Sequence, residues 1–528
     1  MHLEIALTLV LAAMVALLVA AQLLRIPYPI LLAVGGAALA LMPGAPEIAL
    51  EPDLVLLILL PPILYAAAFF TPLRELRRNV RAISLLSVGL VLATMVGVAI
   101  VAHEAFGFDW APAFVLGAIV SPTDPVAATA IGRQLGVPHR IISIVEGESL
   151  INDGTALVAY KFAVAAVVTG SFSLLEASGE FVVSALGGVA VGIGVGAIVA
   201  AVRRRLNNPP VEITIALATS YFAYLPAEAI GVSGVLAAVT VGIYMGRLTS
   251  VLTSPTTRIQ GNAVWEILVF LLNSALFVLI GLQLPLIVDG LEDGSLGELI
   301  AQGALIAAVV MLIRLAWVFP FTYGPRFLFR RIRDDDSYPP WQSTLLVAWT
   351  GMRGAVTLAA ALAVPLTVDG GGAFPQRDEI IFLAFSVIMG TLLIQGLTLP
   401  PLIHLLGVDD ADETLEYEEN KARLKAVSAA LERIDVLVSE DWVHEDTAER
   451  IRGAYNYRHR RYTARFDEDG SESDDIEERS ENYQRLVREV LDAQRDVLLS
   501  LRNEGRINDD VMRRIERELD LEDSRLEI

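Results

Sequence analysis

Thirteen stretches of this chain are apolar over the length a helix needs to cross a lipid bilayer, and that succession leaves few folds open. A span takes roughly 20 apolar residues. The candidates are 3–24, 27–42, 53–70, 80–104, 110–132, 141–168, 180–202, 211–228, 231–246, 262–284, 299–325, 342–365 and 379–404. Backbone polar groups in hydrocarbon must be satisfied inside their own segment, so long apolar runs imply helices. The expected fold is an all-α polytopic membrane protein. Its tightest passage is 211–246, where two short spans meet at Gly231.

The loop charges support that count. With the N-terminus outside, the inner loops hold Arg25; Arg74, Arg77, Arg78 and Arg81; Arg133 and Arg140; Arg203, Arg204 and Arg205; Arg247 and Arg258; and Arg326, Arg330, Arg331 and Arg333. The outer loops hold Arg377 and acids such as Glu51, Asp109, Glu176, Asp289, Glu292 and Asp293. Basic residues collect on the cytoplasmic side of membrane proteins, and a wrong number of spans would scramble this alternation. The N-terminal stretch has no basic region and no small-residue cleavage site, so it reads as the first span of a plasma-membrane protein.

From Val408 the composition changes. The formal net charge of −21 is uneven, and Asp, Glu and Arg crowd the tail. Residues 1–407 are expected to form the membrane domain and 408–528 a cytoplasmic, acidic, helical domain. Amphipathic segments are expected at 416–438, with Leu424, Leu431 and Val438, and at 475–501, with Leu486, Val490, Val497 and Leu501. A shorter helix is expected at 507–521. Between the first two lie a basic, aromatic stretch at 458–465 and an acidic linker at 466–473. The acidic total argues against a nucleic-acid partner. With no cysteine, disulfides and thiol chemistry are excluded. His2, His103, His139, His404, His444 and His459 are scattered over ends, loops and tail, so no metal cluster is expected. Neither a phosphate-binding Gly-rich loop with its Lys nor a zinc-protease motif occurs.

Chemistry concentrates in residues that are costly at bilayer depth. The run 141–168 contains Glu146-Gly147-Glu148-Ser149-Leu150-Ile151-Asn152-Asp153-Gly154. Ser149, Asn152 and Asp153 share one helical face and offer a hydroxyl, an amide and a carboxylate, all hard oxygens suited to a small cation. Glu148 lies about 100° round the helix from Ser149 and meets a different neighbour. Run 110–132 contains Ser121-Pro122-Thr123-Asp124-Pro125. Two prolines three apart break a helix and free carbonyls, tolerated only where protein or a polar cavity satisfies them. Run 342–365 contains Gly351-Met352-Arg353-Gly354, an arginine in need of a partner between glycines that allow unwinding. Interrupted helices in the two halves of a chain are the pattern of inverted-repeat transporters. An ion pair of Glu148 with Arg353 is expected, leaving Asp153 as the carrier. Lys161 is expected to reach the outer interface, and Glu228, Glu266, Asn273 and Arg314 read as packing or pairing residues. A transporter is the first reading and a gated cation channel the second. An enzyme is not expected, for want of a paired nucleophile and base.

The motifs Pro122-Thr123-Asp124-Pro125, Gly147 to Gly154 and Arg353-Gly354-Ala355-Val356 resemble, in order and spacing, those of monovalent cation:proton antiporters of the NhaP and NHE type. The resemblance implies thirteen spans with two unwound, crossing helices, usually in a homodimer. It implies that Asp153 binds Na+ or H+, with Thr123 through its carbonyl, Ser149 and Asp124 as further ligands. Asn152 would stabilise the site, and Glu148 with Arg353 would be structural. Members with Asn before this Asp are similar in exchanging one cation for one proton. No resident cofactor is implied, and K+ is the alternative cation. One position departs: relatives often have an acid after the motif that reads here Leu60-Pro61-Pro62-Ile63-Leu64-Tyr65, where this chain has Ala66.

Overall fold

Apolar runs flanked by prolines, glycines and arginines become helices almost throughout the computed structural model, which describes residues 3–43, 50–52, 54–170, 174–291, 296–330, 334, 338–369, 371–408, 413–464, 466 and 471–524. Of the charges named above, Glu292, Asp293, Arg331 and Arg333 lie outside the described residues, as do His2 and residues 467–470 of the 466–473 linker. Two compact units emerge, residues 1–411 and 412–528.

The first unit begins with α1 (Leu3–Leu24), α2 (Tyr28–Ala40), α3 (Leu60–Phe70), α4 (Leu73–Arg78), α5 (Val80–Ser84) and α6 (Val91–Phe106). It continues through α7 (Trp110–Val120), α8 (Val126–Gln134), α9 (His139–Thr169), α10 (Leu174–Arg203), α11 (Pro209–Ala229) and α12 (Gly234–Leu252). It closes with α13 (Pro255–Leu282), α14 (Leu284–Asp289), α15 (Leu296–Leu328), α16 (Trp341–Trp349), α17 (Ala355–Leu362) and α18 (Arg377–Leu406). Seven helices among the described residues are individually long and apolar enough to cross a membrane, with four shorter apolar ones beside them. The runs at 110–132 and 342–365 are not single helices. Each is a pair of half-helices, α7 with α8 and α16 with α17, separated by five non-helical residues at 121–125 and 350–354. The passage at 211–246 resolves into α11 and α12. Gly231 sits between them with φ of 77°, a conformation that glycine takes without a Cβ clash, and the Ser233 side chain caps α12 at Leu236 N–H.

Local irregularities have identifiable causes. Pro61 and Pro62 cannot donate to the preceding turn, and residues 54–59 widen into a π-helical turn ahead of α3. The Ile58 carbonyl that Pro62 leaves without a donor accepts from the Tyr221 hydroxyl at 2.8 Å. A second π-helical turn, residues 85–90, joins α5 to α6, and Trp317 Nε1 donates to the Leu85 carbonyl at 3.2 Å.

Because lipid tails are as apolar as leucine, helices in a bilayer associate mainly through close packing of small residues. The pair α2 and α13 shows this. A Cβ on Gly281 would lie 2.2 Å from the Ala33 carbonyl oxygen, and one on Gly36 2.5 Å from that of Val278. The pair α3 and α12 repeats it at Gly242 and Gly246, facing the Tyr65 and Phe69 carbonyls.

The second unit contains α19 (Glu413–Leu437), α20 (Glu445–Ala464), α21 (Ser471–Asn503) and α22 (Asp509–Asp523). The basic, aromatic stretch is, at 458–464, the end of α20 and not a connector. The expected apolar face of 475–501 is corrected. Leu486, Val490 and Val497 are exposed, whereas Leu491 and Leu498 pack with Leu519. The buried stripe is set by contact with α22, where Arg495 bonds Asp520 and Asp523.

A Gly281→Val substitution is expected to destabilise the protein by about 1–3 kcal/mol or more, because a backbone carbonyl cannot yield as a side chain does. Thermal unfolding in detergent checks this. Gly290→Val, at a position with only ordinary contacts, is the control.

Candidate functional site

The two interruptions meet. Asp124 N–H donates to the Met352 carbonyl at 2.7 Å, so the break between α7 and α8 is joined by backbone to the break between α16 and α17. Each break exposes two helix ends, and the charged side chains sort themselves between them. The Asp124 carboxylate accepts from Val126 N–H, the first residue of α8, at 2.9 Å. It also presses on Gly354 at the start of α17, where a Cβ would fall 1.8 Å from Oδ2. Glycine at 354 is therefore required by space. Arg353 does the opposite. Its Nε donates to the carbonyl of Val120, the last residue of α7, at 3.0 Å, and its Nη1 donates to the carbonyl of Gly351 beyond α16. A carboxylate at helix N-termini and a guanidinium at C-termini each complement the helix dipoles.

α9 crosses this junction. Ser149 Oγ donates to the freed Thr123 carbonyl at 2.8 Å, and Asn152 Nδ2 donates to Thr123 Oγ1 at 2.8 Å. Thr123 Oγ1 donates in turn to Glu148 Oε1 at 3.1 Å. With Asp124 next to Thr123 in the same break, the structure thus brings Thr123, Ser149 and Asn152 together. Asp153, one residue on, is only 6% exposed, yet among the described residues its carboxylate has neither a hydrogen-bond donor nor an ion-pair partner. The Asn152 Oδ1 atom is likewise buried without a partner.

The expected pair of Glu148 with Arg353 is corrected. Glu148 is held by Arg314 of α15 in a two-pronged pair, Nη1 to Oε1 and Nη2 to Oε2, the latter at 2.8 Å, and both side chains are fully buried. The physical reason lies in what each arginine can reach. Arg353 is spent on the two freed carbonyls, while Arg314 enters from a continuous helix and anchors itself on the Val347 carbonyl at 3.2 and 2.9 Å. Gly351 lets both pass, since a Cβ there would meet Arg314 Cδ at 2.5 Å and Arg353 Nη1 at 3.2 Å. A signal that Arg314 pairs was present, though not which acid it meets: a lone arginine inside run 299–325 needs a partner. Sequence reading also missed Thr391 of α18, whose hydroxyl accepts from Arg353 N–H at 3.1 Å. Of the remaining polar residues, Lys161 pairs with Glu228 at 3.1 Å and Arg133 with Glu146 at 2.6 Å, both partly exposed. Ala66 is buried on α3 and offers no oxygen.

Residues 9–405 match the family described as "Sodium/hydrogen exchanger, transmembrane". The chain belongs to the sodium/hydrogen exchanger family. A protein of Mycobacterium tuberculosis, named as an uncharacterized Na+/H+ exchanger, is 35% identical to this exchanger-family chain over 506 residues, 95% of this chain and 92% of the relative. A Bacillus subtilis protein, named as a sodium, potassium, lithium and rubidium/H+ antiporter, is 37% identical over 390 residues, 71% of this chain and 58% of the relative. In fold, the exchanger-family chain is similar to the sodium proton antiporter MjNhaP1 of Methanocaldococcus jannaschii, with a TM-score of 0.61 at 20% identity, covering 77% of this chain and 100% of that one. The all-α antiporter architecture expected from the motifs is thereby shown.

The buried pair has a checkable energetic signature. Arg314→Met leaves Glu148 charged and alone and is expected to cost about 3–5 kcal/mol. Arg314→Met with Glu148→Gln removes both charges and should cost clearly less. Unfolding midpoints of the purified single and double variants measure the difference.

Proposed function

We propose that this chain exchanges one monovalent cation, Na+ in the first instance, for one proton, with Asp153 as the shared binding group. The observation that carries the reading is a buried carboxylate that no described side chain balances. Around the junction the other ionisable groups cancel: Glu148 and Asp124 contribute two negative charges, Arg314 and Arg353 two positive ones. Asp153 then leaves the cluster at minus one when ionised. Moving an uncompensated charge through hydrocarbon is costly, so the empty site should not change sides. A proton or a monovalent cation restores neutrality, and each displaces the other. One-for-one, electroneutral exchange follows from that count.

The cation would take its oxygens from Asp153, the Thr123 carbonyl, Ser149 and Asp124. The Thr123 carbonyl and the Ser149 hydroxyl bond each other, and each keeps a lone pair for an ion. Asn152 braces Thr123 and orients the site. The exchange would proceed by rigid-body movement of one helix bundle against another, as in transporters built around broken helices. The same reading takes the chain as a plasma-membrane homodimer with its N-terminus outside and its acidic tail in the cytoplasm. The B. subtilis relative, whose name covers potassium, keeps K+ exchange as a second reading.

Reconstitution into liposomes with an enclosed pH-sensitive dye tests the proposal. A Na+ gradient should drive proton movement that a potassium–valinomycin voltage clamp does not alter. Currents at channel rates would overturn it. Asp153→Asn should abolish exchange while the unfolding midpoint is kept or raised, and wild-type rates in that variant would remove Asp153 from its role. Because H+ competes for the same oxygens, acidification should raise the apparent KM for Na+ and leave the maximal rate nearly constant. A fall in maximal rate at fixed KM would contradict competition.

A further inference from the structure

Where α3 ends and α12 nears its C-terminus, the chain forms a half-open cavity of about 490 Å³ lined by Phe69, Phe70, Arg74, Arg77, Ile243 and Arg247. Its charge has one sign, with three guanidiniums and no carboxylate in the lining. Such a lining repels cations, so the cavity is unsuited to the traffic assigned to Asp153. None of the three arginines has a hydrogen-bond or ion-pair partner among the described residues. Other arginines of this unit do: Arg203 faces Glu212 at 3.7 Å, and Arg258 bonds the Thr253 carbonyl at 2.9 Å. The acid of α4, Glu75, is engaged elsewhere, accepting from Ser143 and meeting His139 at 3.1 Å. The floor of the cavity is firm, because α12 rests backbone to backbone on α3. A Cβ on Gly246 would lie 2.3 Å from the Phe69 carbonyl oxygen.

We propose that this cavity binds a phosphate-bearing anion, with Arg74, Arg77 and Arg247 as its ligands and Phe69, Phe70 and Ile243 against its apolar part. Guanidinium forks match phosphate oxygens in pairs of charge-assisted hydrogen bonds. The volume is that of a small-molecule site, and an apolar wall beside convergent polar groups is the usual composition. An acidic phospholipid head group and a soluble phosphate compound present the same chemistry here. The inference is independent of the transport reading.

The test uses the full chain purified in a neutral detergent. Phosphatidylglycerol, phosphatidylcholine and inorganic phosphate are titrated separately, and the unfolding midpoint and retention in native mass spectrometry are read. A saturable rise with phosphatidylglycerol alone assigns a lipid head group. A rise with inorganic phosphate, competing with any lipid effect, assigns a soluble compound. In either case Arg77→Gln and Arg247→Gln should each weaken the apparent affinity about tenfold or more, with Lys at the same positions retaining part of it. Arg205→Gln, outside the cavity, should change nothing. All three cavity arginines are solvent-exposed, so these variants should fold. No saturable response to either phosphate source, or an equal response in the Arg77→Gln, Arg247→Gln double variant, overturns the proposal.

Discussion

An interrupted helix inside a membrane leaves backbone donors and acceptors with no water to turn to, and the structure depends on how those groups are satisfied. Here one break satisfies the other. The Asp124 N–H to Met352 carbonyl bond joins them, Asp124 takes the N-terminal ends and Arg353 the C-terminal ones. Each break binds groups that the other leaves free. This is why two short motifs more than 200 residues apart must occur together. It is also why Gly354 and Gly351 are fixed by space and not by backbone freedom: side chains of the opposite charge occupy the positions their Cβ atoms would fill.

The buried ion pair of Glu148 and Arg314 plays a different part. Such pairs add little to stability relative to apolar packing, because desolvation offsets most of the attraction. What this one contributes is orientation. It holds α9 against α15, and through Thr123 Oγ1 it reaches the unwound turn whose carbonyl faces Ser149. Glu148 is therefore tied to the same threonine that Asn152 braces from the other side. Three α9 side chains converge on one residue of a broken helix, and the fourth, Asp153, is left free.

Much of this was legible from residue types. Apolar run length marks the spans, paired prolines mark the first break, and Gly-Met-Arg-Gly marks the second. That Ser149, Asn152 and Asp153 share one face follows from helical spacing alone. The partner of Glu148 was not legible, because the choice between Arg353 and Arg314 depends on how α15 and α16 are rotated against α9. That azimuth is a tertiary quantity that helical periodicity within one span does not carry. The tail shows the same limit on a smaller scale. In α21, Leu486 and Val490 keep heptad-like spacing with Val497, but the contact with α22 selects Leu491 and Leu498 instead. A polar helix with several apolar residues offers more than one stripe, and the packing partner decides.

The oxygens of the proposed site differ in how firmly they are held, and that difference bears on which ion they would suit. Thr123 and Ser149 are fixed to each other, and Asp124 is fixed to two helix ends. Pinned oxygens set a distance, and discrimination between cations of one charge rests on distance, ligand number and flexibility. Asp153 is unbraced among the described residues and would be free to follow an ion in the proposed site. In the proposed site Ala66 would add no side-chain oxygen from α3, so the protein's ligand number would be low and solvent would complete the shell. A shell completed by water constrains ionic radius less than one made wholly of protein. The exchange proposed for Asp153 would therefore run on a tolerant site, selective for charge before size.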